Sequence, residues 1–228
     1  MVRANCPICG SISLDSVTIY NKSLRKQTFD ISPILPACNI CGSEAEVTGN
    51  TRGVKILLLN GTCGSGKSSI ADELMKFHGF LAIDGDCVRQ VQKYKLGPER
   101  KWVNNAPEMI EEIGKEIDIL SAVGSEIVIS TVVEPDDLPK YISLFESKGM
   151  DYRIILLKPD YETVVKRTQT RTCFGSITPE YWVRYFYDKL EFDDVETLDN
   201  SNLSVEQSAV AILQKCNFSV CLKGGVTQ

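Results

Sequence analysis

The chain has 228 residues, a formal net charge of −5, 43% hydrophobic residues and 24% charged ones. That length and balance suit one α/β domain with a small appendage. They exclude a global basic field for nucleic acid, and no apolar run approaches the roughly 18 residues of a membrane-crossing helix.

The N-terminus, Met-Val-Arg-Ala-Asn-Cys, has no apolar signal core, so a cytoplasmic location is expected. Two knuckles follow, Cys6-Pro-Ile-Cys9-Gly and Cys38-Asn-Ile-Cys41-Gly. Four thiolates in two paired turns can surround a tetrahedral Zn²⁺, and the glycine after each pair permits a tight turn. The pattern resembles a zinc ribbon, with Cys6, Cys9, Cys38 and Cys41 as ligands of a closed, structural site. The alternatives are reduced structural cysteines or disulfides, the latter disfavoured in a reducing compartment. Ser11–Tyr20 and Leu24–Ile31 are β-prone and could supply the strands. The reading gives a ribbon over 1–46, a polar, glycine-containing linker over 47–53, and a catalytic domain over 54–228. The ribbon could make a protein contact, form a dimer contact or cap the domain.

Residues 54–60 are an apolar run of the kind that forms a buried parallel strand. Residues 61–68, Gly-Thr-Cys-Gly-Ser-Gly-Lys-Ser, fit the phosphate-loop pattern G-x-x-x-x-G-K-[ST] at every fixed position. Ile70, Leu74 and Phe77 then recur at helical spacing before Gly79. Strand, glycine loop and helix come in the order phosphate binding needs. Loop N–H groups and the helix N-terminus face the anion, Lys67 reaches the β- and γ-phosphates, and Ser68 holds Mg²⁺. The nucleotide-binding set is Gly61, Thr62, Cys63, Gly64, Ser65, Gly66, Lys67, Ser68 and Ser69. Cys63 occupies a variable position, either as a small tolerated side chain or as a redox-sensitive one. His78 reads as a helix C-terminal residue, and Cys87, Cys173, Cys216 and Cys221 as small buried hydrophobes.

Phe80–Ile83 reads as a second strand, running into Asp84-Gly85-Asp86 with Arg89 beyond it. In extended backbone the two carboxylates would point to one site, one assisting Mg²⁺ and one accepting a hydroxyl proton, with Arg89 clamping the acceptor. The competing reading is a turn with a helix cap. Lys93–Trp102 has no period. Met109, Ile113, Ile117 and Leu120 mark a helix opened near Pro107. Strands follow at Glu126–Ser130, Tyr152–Leu157 and Val195–Leu198, with helices over Pro135–Lys148, from Asp160 to Thr170, from Thr178-Pro179-Glu180, and from a capping box at Ser204–Gln207. Arg167 and Arg171, four apart, share a helix face that could close over phosphates or simply be a solvated basic face. Five strands alternating with helices imply a doubly wound parallel sheet with ligands at the strand C-terminal ends.

Residues 54–215 resemble the small P-loop kinases of metabolites, a group that includes shikimate, gluconate, adenylylsulfate and chloramphenicol kinases. The features that carry this are the phosphate loop, Asp84, Asp86 and Arg89, the paired arginines, and the late stretch Asp199-Asn-Ser-Asn-Leu-Ser204. The resemblance implies a nucleoside-monophosphate-kinase-like fold and transfer of the ATP γ-phosphoryl group to a hydroxyl of a small molecule. It implies that Lys67 and Ser68 bind ATP phosphates and Mg²⁺, and that Asp84 supports the metal. Asp86 would orient or deprotonate the acceptor, Arg167 and Arg171 would close a lid, and Asn202 and Leu203 would lie by the adenine. After the third strand, Ser130-Thr131-Val-Val-Glu134 replaces the triple-glycine loop of shikimate kinases, which argues against shikimate as acceptor. No Walker B aspartate stands there, so Ser130 or Thr131 would meet the metal through water. The rival readings are a polynucleotide or nucleoside kinase, which the acidic domain disfavours, and a non-enzymatic ATP-binding adaptor. A GTPase is disfavoured because Leu157-Lys158-Pro159-Asp160 stands where a guanine-reading element would be.

Overall fold

The structure is a computed structural model that describes residues 3–12, 17–20, 35–38, 40–41, 43, 46–48, 51–88, 107–170 and 178–218. The expected strand at 24–31, the 93–102 segment, Arg89 and Arg171 lie outside these residues.

Five strands form the main sheet: β6 (Lys55–Asn60), β7 (Leu81–Asp84), β8 (Glu126–Ser130), β9 (Asp151–Leu157) and β10 (Glu196–Leu198). They lie in the order β10-β9-β6-β8-β7, all parallel. The helices are α1 (Lys67–Phe77), α2 (Pro107–Leu120), α3 (Leu138–Ser147), α4 (Tyr161–Gln169), α5 (Glu180–Lys189) and α6 (Val205–Cys216). The expected five-stranded P-loop fold is the one observed.

Strand β6 is central and apolar on both faces. Ile56 and Leu58 point to one layer with Ile113 and Ile117 of α2 and Tyr141 and Phe145 of α3. Leu57 and Leu59 point to the other with Ile70 and Leu74 of α1 and Ile212 and Leu213 of α6. This is the period-two alternation of a strand covered on both sides. Each such side chain contributes about 2 kcal/mol of burial, so β6 fixes the sheet and with it the loop at its C-terminal end. Asp160 caps α4, its Oδ1 accepting from the Thr163 N–H at 2.7 Å. Ser204 and Gln207 form the reciprocal capping box of α6.

The N-terminal region holds β1 (Arg3–Cys6), β2 (Gly10–Ile12), β3 (Val17–Tyr20), β4 (Leu35–Cys38) and β5 (Glu46–Thr48). The antiparallel sheet β2-β1-β5 and the antiparallel pair β3-β4 are separate. Here the structure adds to the sequence reading. Strands β1, β4 and β5 were not anticipated, and β5 takes Val47 and Thr48 from the expected linker. Pairing with β1 gives a three-residue segment a partner that its own pattern is too short to announce.

Candidate active site

The phosphate loop leaves the end of β6 and is held from three directions. Asn60, fully buried at the strand end, accepts from the N–H groups of Gly61 (2.7 Å) and Val133 (2.9 Å) and donates to the Val133 carbonyl (2.7 Å). The buried Thr62 hydroxyl donates to the Val183 carbonyl of α5 at 3.3 Å. Asn200, between β10 and α6, donates from Nδ2 to the Ser65 carbonyl at 3.0 Å. Gly64 has φ +84°, and a Cβ there would come within 2.8 Å of both the Val164 carbonyl and Thr168 Cγ2, so the loop presses on α4 where no side chain fits. Lys67 Nζ donates to the carbonyls of Gly61 (2.6 Å) and Thr62 (3.0 Å).

A cleft beside the loop is lined by Cys63, Lys67 and Ser68, by Asp86, by Ser130 and Thr131 at the end of β8, and by Thr178 ahead of α5. Of the two readings of Asp84-Gly85-Asp86, the extended backbone is overturned and the turn with a helix cap is the one observed. The backbone is not extended, because residues 85–88 are helical, and Asp84 Oδ1 accepts from the Asp86 N–H at 2.9 Å. Asp84 therefore caps this turn, and the turn carries Asp86 into the cleft. Gly85 is there for close approach, since a Cβ would collide with the Thr131 hydroxyl. Thr131 is 2% exposed and, among the described residues, its Oγ1 has no hydrogen-bond partner; Ser65 Oγ is likewise buried and unpartnered among them. Buried orphan hydroxyls beside a lysine, a serine and a carboxylate fit a polar, anionic ligand with its cation.

A second cavity of about 240 Å³ opens against the loop at Gly64 and Gly66, walled by Arg167, Thr170, Asn200 and Leu203. Arg167 donates from Nη2 to the Asn200 carbonyl at 3.0 Å. Leu203 lines this cavity, whereas Asn202 is exposed. Asn60 and Asn200 were missed. Their distant partners, Val133 and Ser65, are 73 and 135 residues away, so the sequence does not show these bonds, although Asn200 falls in the stretch Asp199–Ser204 that carries the resemblance.

In the N-terminal region the Sγ atoms of Cys9, Cys38 and Cys41 lie within 4.8 Å of one another, with Cys9 and Cys38 at 4.0 Å. A tetrahedral zinc with Zn–S bonds of about 2.3 Å sets sulfur atoms roughly 3.8 Å apart, so the cluster fits such an ion. The Cys6 side chain lies outside the described residues; its backbone, in β1, pairs with Gly10 at the first knuckle. The Cys38 N–H closes the second knuckle on the Ser43 carbonyl at 2.9 Å. Elsewhere, His78 caps the C-terminal end of α1. Cys216 is buried, and burial pushes its thiol up to about 11, while Cys87 is only half-buried.

No curated protein matches the chain. Among solved structures it is similar to the tunicamycin resistance protein of Deinococcus radiodurans (TM-score 0.59, 18% identity, 73% of this chain and 97% of that one). It is also similar to a sugar kinase from Janibacter sp. HTCC2649 (0.56, 16%, 73% and 96%) and to a gluconokinase from Sinorhizobium meliloti 1021 (0.50, 20%, 72% and 95%). At these identities the likeness is one of fold. A family model described as an AAA domain matches residues 56–175, from β6 through α4, more than half of the chain. With the phosphate loop, the parallel sheet and that match in hand, the chain belongs to the AAA domain family.

Proposed function

We propose that the chain is an ATP-dependent phosphotransferase acting on a hydroxyl of a small molecule. The observation that carries this reading is Asp86, brought by a capped turn into the same cleft as Lys67, Ser68 and the orphan Thr131 hydroxyl. A carboxylate facing the phosphate loop is what a hydroxyl acceptor needs, and it shares the cleft with the Lys67 cation. The sugar kinase and gluconokinase among the similar structures support the same class of acceptor.

The loop residues Gly61 to Ser69 would bind the ATP phosphates, with Lys67 neutralising charge on them. Ser68, with Asp84, Ser130 or Thr131 through water, would hold Mg²⁺, which when bound supplies further neutralisation. Arg167, Asn200 and Leu203 would border the base. Asp86 would orient the acceptor hydroxyl and take its proton. The acceptor oxygen bonds to the γ-phosphorus as the bond to the β–γ bridging oxygen breaks, and ADP leaves with that electron pair. Positioning and charge stabilisation supply most of the rate. We also read Cys9, Cys38 and Cys41, with Cys6, as ligands of a structural Zn²⁺.

The test is acceptor-dependent ADP release from Mg²⁺-ATP with pools of sugars, sugar acids, nucleosides, and aminoglycoside and phenicol antibiotics. Asp86→Asn is expected to lower turnover at least about 100-fold, the scale of lost general-base catalysis, while ATP affinity stays within a few-fold. Lys67→Ala is expected to abolish turnover. Near-wild-type turnover in Asp86→Asn would overturn the role given to that carboxylate.

A further inference from the structure

Helix α5 reads Glu-Tyr-Trp-Val-Arg-Tyr-Phe-Tyr-Asp-Lys, and it buries only Val183. Four of its five aromatic side chains form one continuous row, while Tyr187 meets Tyr161 instead. Tyr181 contacts Trp182 (ring centroids 5.3 Å), Trp182 meets Tyr185 (5.8 Å) and lies nearly parallel to Phe186 (6.0 Å, 23°), and Tyr185 meets Phe186 (5.1 Å). Yet Tyr181, Trp182 and Tyr185 are 66%, 45% and 42% exposed. Large rings kept in water on one helix face mark a surface that a ligand covers.

The row leads into the cleft. Phe186 packs against the buried cluster of Val132, Leu156 and Leu190, and Val132 lines the cleft with Asp86 and Lys67. The same helix is tied to the phosphate loop through Thr62 and Val183, and Thr178, just ahead of it, is a cleft residue. The charges beside the row are already matched. Lys189 pairs with Glu134 at 2.8 Å and Arg184 with Asp188 at 3.7 Å, and Arg184 also lies over the Tyr161 ring at 3.9 Å. The hydrogen bond to Glu134 holds the Lys189 ammonium well above its ordinary range. Both cations are thus committed to partners on the protein, which suits an uncharged body on the rings better than a polyphosphate chain.

We propose that the row of Tyr181, Trp182, Tyr185 and Phe186 is the acceptor-binding ledge, and that the acceptor is an uncharged molecule with an aromatic group beside its reactive hydroxyl. This rests on the phosphotransferase reading for the chemistry but not for the binding. The hydroxyl enters the cleft at Asp86, passes its proton there and takes the γ-phosphoryl group, while the flat group stacks on Trp182 and Tyr185.

Matched acceptors test it: phenyl β-glucoside against methyl β-glucoside, and 3-phenylpropane-1,2-diol against propane-1,2-diol, read as kcat/KM for ADP release by the full chain. The aromatic member of each pair is expected to be favoured at least tenfold. Trp182→Ala and Tyr185→Ser are each expected to bring that preference toward one, with ATP affinity serving as the check on folding. Binding is read separately. The chain has two tryptophans, so Trp102→Phe leaves Trp182 as the fluorescent reporter, and both aromatic acceptors are expected to quench it saturably. Quenching without ADP release would keep the ledge and sink the phosphotransferase reading. ADP release with equal kcat/KM within each pair, or no quenching, would sink the ledge. Concentration-dependent self-association abolished by Trp182→Ala would also overturn it, by assigning the row to a second copy of the chain.

Discussion

Asn60 meets three backbone groups with one side chain, and it does so at the point where the central strand becomes the phosphate loop. Each buried group left unpaired costs about 1–3 kcal/mol. Asn60→Leu, which keeps the size but none of the bonds, is therefore expected to lower stability by at least about 3 kcal/mol in urea unfolding; a loss below about 1 kcal/mol would show that the three bonds are replaceable. The sequence could not announce this residue. It ends an apolar strand, and its partner Val133 lies beyond a separate strand. Asp86 was legible because it stands where the second strand, Phe80–Ile83, runs out. The turn with a helix cap stood as the competing reading, and the structure combines the two: Asp84 accepts from the Asp86 amide and the turn sets Asp86 in the cleft.

Among the elements, those of the main sheet were readable from continuous apolar runs and from caps. Asp160 and Ser204 were identified as caps from sequence and act as caps in the structure. The Thr163 N–H, the Ser201 hydroxyl and the Thr163 hydroxyl together lower the Asp160 carboxyl below its ordinary value of 3.8. A carboxyl depressed by folding contributes stability that is present above its unfolded value and is lost as pH falls through the folded one. The stability advantage of the wild type over Asp160→Asn is thus expected to hold at pH 7 and to shrink progressively below pH 3.8; urea melts of both chains at pH 7, 4 and 3 measure it. An advantage that grew on acidification would contradict the cap. Strands β1, β4 and β5 escaped the sequence reading because segments of three or four residues carry too few alternations to separate strand from turn.

For the molecule as a whole, the order β10-β9-β6-β8-β7 puts β6 and its phosphate loop in the middle of the sheet; apolar faces alone do not set it, because β8 also buries Ile127 and Ile129 in one layer and Val128 in the other. The cysteine knuckles were legible as a pair, and the structure brings Cys9, Cys38 and Cys41 together. If they hold zinc as proposed, elemental analysis of the purified chain is expected to give about one zinc per chain. Cys38→Ala is expected to lose the metal and to make the N-terminal region protease-sensitive while the P-loop domain still binds ATP. A metal-free wild type with the same protease resistance would remove the zinc assignment.

The three struts on the phosphate loop have a consequence for how the protein opens. Ligand-binding loops are commonly drawn from the least stable part of a fold, where they unfold locally. This one is bonded at Asn60, Thr62 and Ser65 to the exit of β8, to α5 and to the turn before α6. It cannot come apart without releasing all three, so it shares the opening free energy of the sheet instead of forming a separate, softer unit. A nucleotide held there protects the whole domain from exchange and unfolding, and damage at any one strut is felt as global instability before it is felt as a loose loop.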